Sequence, residues 1–196
     1  MTVPVLWDRE EGTIVNNESA DIIRIFNSAF DGITGNALDF CPRDLRVEID
    51  AINETIYEAV NNGVYRAGFA TSQDAHDEAF ETLFETFDEL ERRFAKQRYL
   101  VRNRLTEADW RLFTTLIRFD CVYHGHFKCN RRRLVDYPNL WGYCLDLYQV
   151  PGVAETVDFD HIKRHYYQSQ TQINPTGIVP KGPQVNFNQA HRRAVF

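Results

Sequence analysis

The 196-residue sequence contains no apolar run near the roughly 18 residues that a bilayer-spanning helix needs, so no membrane span is expected. Basic residues are in deficit: 22 Lys and Arg stand against 28 Asp and Glu, a net charge of −6. That balance excludes a general nucleic-acid binder, which needs a basic footprint for the phosphates. Four cysteines (Cys41, Cys121, Cys129, Cys144) are too few for a disulfide framework in a chain this long. The start, Met1-Thr2-Val3-Pro4-Val5-Leu6-Trp7-Asp8, lacks the basic n-region and cleavage site of a secretory leader. Reduced thiols in a cytoplasmic protein are therefore expected. Repeats and low-complexity segments are also absent.

What is plentiful is apolar and aromatic surface, 43% and 13% of residues, which supports a packed core. Val3 to Trp7 reads as a strand, Asp8 to Gly12 as a charged turn and Thr13 to Val15 as a second strand. Asn16-Asn17-Glu18-Ser19 opens a helix with Ile22, Ile23, Phe26, Ala29 and Phe30 on one stripe. Beyond residue 42 the periodicity is helical throughout. Leu45, Ile49, Ile52, Ile56 and Val60 form a stripe that Asn62-Gly63 should stop. Ser72 caps a long helix carrying Phe80, Leu83, Phe84, Phe87, Leu90 and Phe94. Thr106-Glu107-Ala108-Asp109 is a capping-box pattern with Asp in place of Glu. Further helices are expected from Leu140 to Val150, halted by Pro151-Gly152, and from about Asp160 to Ser169. From Ile173 onward prolines, glycines and the loss of periodicity predict an extended tail. The class is mainly α: a β–β–α unit followed by a helical bundle. Two strands and one helix cannot bury a sheet face, so the chain reads as beginning inside a domain.

Six segments together resemble the glutathionyl-hydroquinone reductases, the xi-class, omega-like glutathione transferases. They are Thr2 to Asp8, Asn17-Glu18-Ser19-Ala20, Asn61 to Thr71 (Asn-Asn-Gly-Val-Tyr-Arg-Ala-Gly-Phe-Ala-Thr), Leu105 to Asp109, His126-Phe127-Lys128-Cys129, and Ile173-Asn174-Pro175-Thr176-Gly177. They span nearly the whole chain in the family's order. The resemblance implies the β–β–α end of a thioredoxin-like domain over 1–31, a linker over 32–42, an all-helical glutathione-transferase C-terminal domain over 43–172 and the tail over 173–196. It implies glutathione as co-substrate, no metal, glutathionylated aromatic quinols as substrates, and a homodimer.

The resemblance also implies roles. Thr2 and Val3, before a cis Val3-Pro4 bond, would pair with the cysteinyl backbone of glutathione, and Glu18 and Ser19 would hold its γ-glutamyl group. A helix N-terminus suits a carboxylate, though both residues could simply cap the first turn. Tyr65 would be the proton donor or acceptor, with Tyr123 and Tyr166 in the quinol pocket. The alternative for each tyrosine is core packing. The family's nucleophile is a low-pKa cysteine in a Cys-Pro-Trp-Ala segment preceding the Val-Pro strand, and it is expected to be missing here, leaving this chain inactive. Cys41-Pro42 ahead of a helix at Arg43 is a weak substitute, and Cys144 an inert core thiol. A non-catalytic fragment, or a dimerisation or binding module, is the competing reading.

Three further constellations invite chemistry. Cys121, His124, His126 and Cys129 offer zinc-type ligands at unusual spacing. Arg131-Arg132-Arg133 could meet an anion, or be a solvated turn. His161, Arg164 and His165 flank Tyr166 and could tune its surroundings, or form a solvated helix face.

Overall fold

The computed structural model describes residues 4–196. Thr2, Val3 and the Val3-Pro4 bond lie outside the described residues. Strands β1 (Leu6–Asp8) and β2 (Thr13–Asn16) pair antiparallel, with Trp7 opposite Ile14 and Asp8 opposite Thr13. The first strand thus starts at Leu6, later than the apolar run suggests. Asp8 Oδ1 accepts from the Glu10 and Glu11 amides at 2.8 and 3.0 Å, and Gly12 closes the turn at φ +64°, where a side chain would be strained.

Helix α1 (Ser19–Ser28) carries the predicted stripe but buries only Ile22. Ile23, Phe26 and Phe30 are 39%, 57% and 41% exposed, and Trp7, Ile14 and Val15 are about half exposed. The β–β–α unit therefore presents an apolar face, as its small size requires. A single unpredicted turn, α2 (Asp31–Thr34), follows. The unit is tied to the bundle by polar contacts. Arg24 forks onto the buried carboxylate of Glu107, with Nη2–Oε1 at 2.7 Å, and also reaches Asp50; Asn53 donates to Glu107 as well.

The bundle comprises α3 (Arg46–Ile56), α4 (Gly63–Gly68), α5 (Gln73–Phe94), α6 (Glu107–Arg118), α7 (Pro138–Tyr148) and α8 (Phe159–Ser169). Its centre is α7, buried at every position from Leu140 to Leu147, and α6, buried on most of its circumference. All-round burial suits the mostly apolar sequence of α7, whereas α6 also buries Glu107 and Asp109, which are hydrogen-bonded. Ser72 caps α5 by accepting from the Ala75 amide at 3.3 Å. The Thr106–Asp109 capping box forms, with the Thr106 amide donating to Asp109 Oδ2 at 2.8 Å. Helix α7 borrows its cap: Glu91 of α5 accepts from the Asn139 and Leu140 amides.

The helical run ends at Asn62-Gly63 as expected, but by a route the stripe does not show. The chain widens through a π turn at Tyr57–Asn61 and re-enters a helix at Gly63. A second π turn, Phe119–Tyr123, follows α6. The tail runs extended across the bundle and ends in a short 3₁₀ turn (Arg193–Val195). Phe187 packs on Trp141, Tyr148 and Phe159. Arg193, 3% exposed, donates to the carbonyls of Phe94, Gln97 and Arg98 beyond the end of α5.

Candidate functional site

Tyr65, Tyr123 and Tyr166 come from α4, a π turn and α8, yet their hydroxyls meet. Tyr65 and Tyr166 are 2.5 Å apart, Tyr123 and Tyr166 2.8 Å, Tyr65 and Tyr123 3.4 Å. Two features produce the convergence. The π turn adds a residue to the helical register and swings Tyr123 toward α4, a device frequent at functional sites. Beneath the rings lies Phe127, with centroids 5.4 Å from Tyr65 and from Tyr123 and 6.0 Å from Tyr166. Gly68 makes room for it: a Cβ there would sit 2.2–2.7 Å from Phe127 ring atoms. The turn holding Phe127 places Lys128 at φ +61°, an uncommon value for a residue with a side chain.

Tyr123 and Tyr166 are 2% and 6% exposed, and Tyr65 half-buried. Burial raises the Tyr123 and Tyr166 pKa values well above a free phenol, and the neighbouring hydroxyls raise Tyr123 further. Both are phenols at neutral pH, able to donate.

The cluster opens into a cleft of about 510 Å³. Across it stands the N-terminus of α1, with Glu18 and Ser19 exposed on the lining. Glu18 is the N-cap: its carboxylate accepts from the Ala20 amide at 3.3 Å, and Ser19 Oγ lies 3.5 Å from it. The cleft adds residues that sequence reasoning missed: Tyr57, Asn61, Trp110, Arg111, Thr115 and Arg118. Asn61, from the first π turn, donates to Thr115 Oγ1 at 2.7 Å and to the Arg111 carbonyl at 2.9 Å. The i, i+4, i+7 spacing of 111, 115 and 118 on α6 was the available signal.

The four cysteines are all buried and free. Cys41 precedes α3 by five residues, and not at Arg43 as the sequence suggested does that helix begin. Burial and then the Glu107 carboxylate raise its pKa. Burial pushes Cys121 up to about 11 and Cys129 up to about 12, and raises Cys144. Burial thus favours the protonated thiol at all four. His126 Nε2 pairs with Gln170 at 2.8 Å, and no group of three His, Cys, Asp or Glu residues gathers for a metal among the described residues. The arginine loop is internally spent: Arg131 pairs with Asp88, Arg132 lies over the Tyr137 ring, and Arg133 pairs with Asp136. Arg164 pairs with Asp160, and His161 and His165 are exposed.

A second cavity of about 500 Å³ lies under the tail, between Trp141, Phe159 and residues 183–187, and of the candidate residues above it holds only Cys121. No helix among the described residues is long and apolar enough to cross a membrane.

Residues 73–145 match the family described as glutathione S-transferase, C-terminal domain. In fold and sequence the chain is similar to glutathione transferases, among them glutathionyl-hydroquinone reductases and xi-class transferases. It is 55% identical over 195 residues to the Escherichia coli glutathionyl-hydroquinone reductase YqjG, all of this chain and 60% of that protein, and 55% identical over 183 residues to PcpF of Sphingobium chlorophenolicum, 93% and 58%. The glutathione-bound structure of Escherichia coli YqjG superposes with a TM-score of 0.96 at 56% identity, covering 99% of this chain and 63% of that one. The xi-class transferase of Natrialba magadii gives 0.97 at 50% identity, covering 100% and 60%. The chain thus spans about three-fifths of the length of the curated relatives it matches.

Proposed function

We propose that this chain forms the γ-glutamyl subsite and the aromatic pocket of a glutathionyl-hydroquinone reductase. The observation that carries this is the single cleft joining the Glu18-Ser19 end of α1 to the three tyrosine hydroxyls. The ligand's γ-glutamyl carboxylate is received by the α1 N-terminus and the Ser19 hydroxyl, and its ammonium by Glu18. Glutamate is not a favoured N-cap residue, so a ligand role accounts for its choice better than capping does. Thr2 and Val3 pair with the cysteinyl backbone. On this reading residues 1–31 are the glutathione-binding half of a thioredoxin-like domain, 32–42 a linker, and 43–172 the helical domain.

In the reaction a cysteine thiolate attacks the glutathione sulfur of the substrate. The sulfur–carbon bond breaks, the ring carbon gains a proton, and the hydroquinone leaves. A second glutathione thiolate cleaves the mixed disulfide, releasing glutathione disulfide and restoring the cysteine thiolate. Tyr65, the least buried of the three tyrosines, supplies the ring proton, and Tyr123 and Tyr166 orient it and stabilise charge on the ring oxygen. The attacking thiolate is none of the four cysteines of this chain, each buried with a raised pKa.

Glutathione-dependent reduction of glutathionyl-menadiol tests the reading. The chain alone should turn over at background. Fused behind a thioredoxin-like half-domain carrying a Cys-Pro-Trp segment it should gain activity, and Tyr65→Phe in that fusion should lose about 10²-fold or more. An unchanged rate removes Tyr65 from the reaction. Robust turnover of the unfused chain, abolished by Cys41→Ser, would make Cys41 the nucleophile.

A further inference from the structure

Arg111 and Arg118 line the same cleft and have no part in the chemistry above. They stand two turns apart on one face of α6, and both are half-buried. Among the described residues neither guanidinium forms an ion pair, whereas seven other arginines do. Arg118 Nη1 donates to the Thr114 carbonyl at 2.6 Å, which leaves most of its fork unused. The cleft's one acid, Glu18, is engaged at the cap of α1. Arg118 lines the same cleft as the three tyrosines, and its charge opposes the rise that burial gives the Tyr166 pKa.

Two half-buried guanidinium groups without a carboxylate partner among the described residues leave most of their donors open to a ligand in the cleft. A planar guanidinium fork matches a carboxylate in a way that a lone ammonium does not. We propose that this cleft selects aromatic quinols bearing a carboxylate on the ring, which Arg111 and Arg118 hold while the tyrosine hydroxyls face the ring oxygen. The inference rests on the cleft being the quinol pocket. The same carboxylate chemistry could come from the glycyl end of glutathione, and the test separates the two sources.

Calorimetric titration of the whole chain, under anaerobic conditions, with 1,4-dihydroxy-2-naphthoate, with 1,4-dihydroxynaphthalene and with glutathione provides that test. The naphthoate should bind about 10-fold more tightly than the neutral diol, the scale of one charge-assisted contact at a part-exposed site. Arg118→Gln and Arg111→Gln should each erode that preference and leave the diol and glutathione affinities within about 2-fold of the parent. Equal binding of naphthoate and diol overturns the inference and leaves the quinol pocket standing. Arginine variants that weaken glutathione and spare the naphthoate overturn it in favour of the glycyl carboxylate. Failure of both aromatics to bind overturns the pocket as well.

Discussion

At the scale of single residues, Gly68 and Phe127 control the site without a reactive group between them. The ring occupies the space a Cβ would need, stacks against Tyr123 and meets Tyr65 edge-on. Gly68→Ala should cost about 1–3 kcal/mol, the range for forced overpacking, measured by urea unfolding. Gly68→Ala combined with Phe127→Leu should recover part of that loss, because the smaller side chain yields the volume; strict additivity of the two changes would show that they do not meet. The sequence reveals each tyrosine but not their meeting. The contacting pairs are 58, 43 and 101 residues apart, and no local pattern encodes such distances. The resemblance to a known family, and not periodicity, singles those three out of nine.

At the scale of elements, the helices were legible because a 3.6-residue stripe and a cap are local signals. Ser72 and the Thr106–Asp109 box form as their spacing implies. The π turns were not legible, since each is one residue of excess inside an otherwise helical run, and both feed the cleft. Asp109 does more than its motif shows. Besides the Thr106 amide it accepts from the Leu100 amide at 2.9 Å and the Tyr143 hydroxyl at 2.8 Å. Burial raises its pKa, and these donors oppose that rise. Asp109→Ala strands several buried donors at once, at about 1–3 kcal/mol each. A loss of about 3 kcal/mol or more in urea unfolding is expected; a loss below about 1 kcal/mol would mean the donors find water.

At the scale of the whole molecule, the core is rich in buried phenols and thiols. Burial raises the pKa values of Tyr123, Tyr166 and Tyr143, and of Cys121, Cys129 and Cys144. Each folded value exceeds the unfolded one, about 10 for tyrosine and about 8.5 for cysteine. Their contribution is fully present below the unfolded values and is lost as pH climbs through the folded ones. The urea midpoint should hold to about pH 8 and fall steeply by pH 11, and Tyr123→Phe should flatten the fall above pH 10. A midpoint independent of pH across that range would show that these groups titrate alike in both states. The tail carries a consequence of another kind. Arg193 closes the carbonyls of Phe94, Gln97 and Arg98. During synthesis those carbonyls emerge from the ribosome about a hundred residues before the side chain that satisfies them. The bundle is therefore completed only after the tail has been made, and a protease that cuts before Arg193 returns it to that unfinished state.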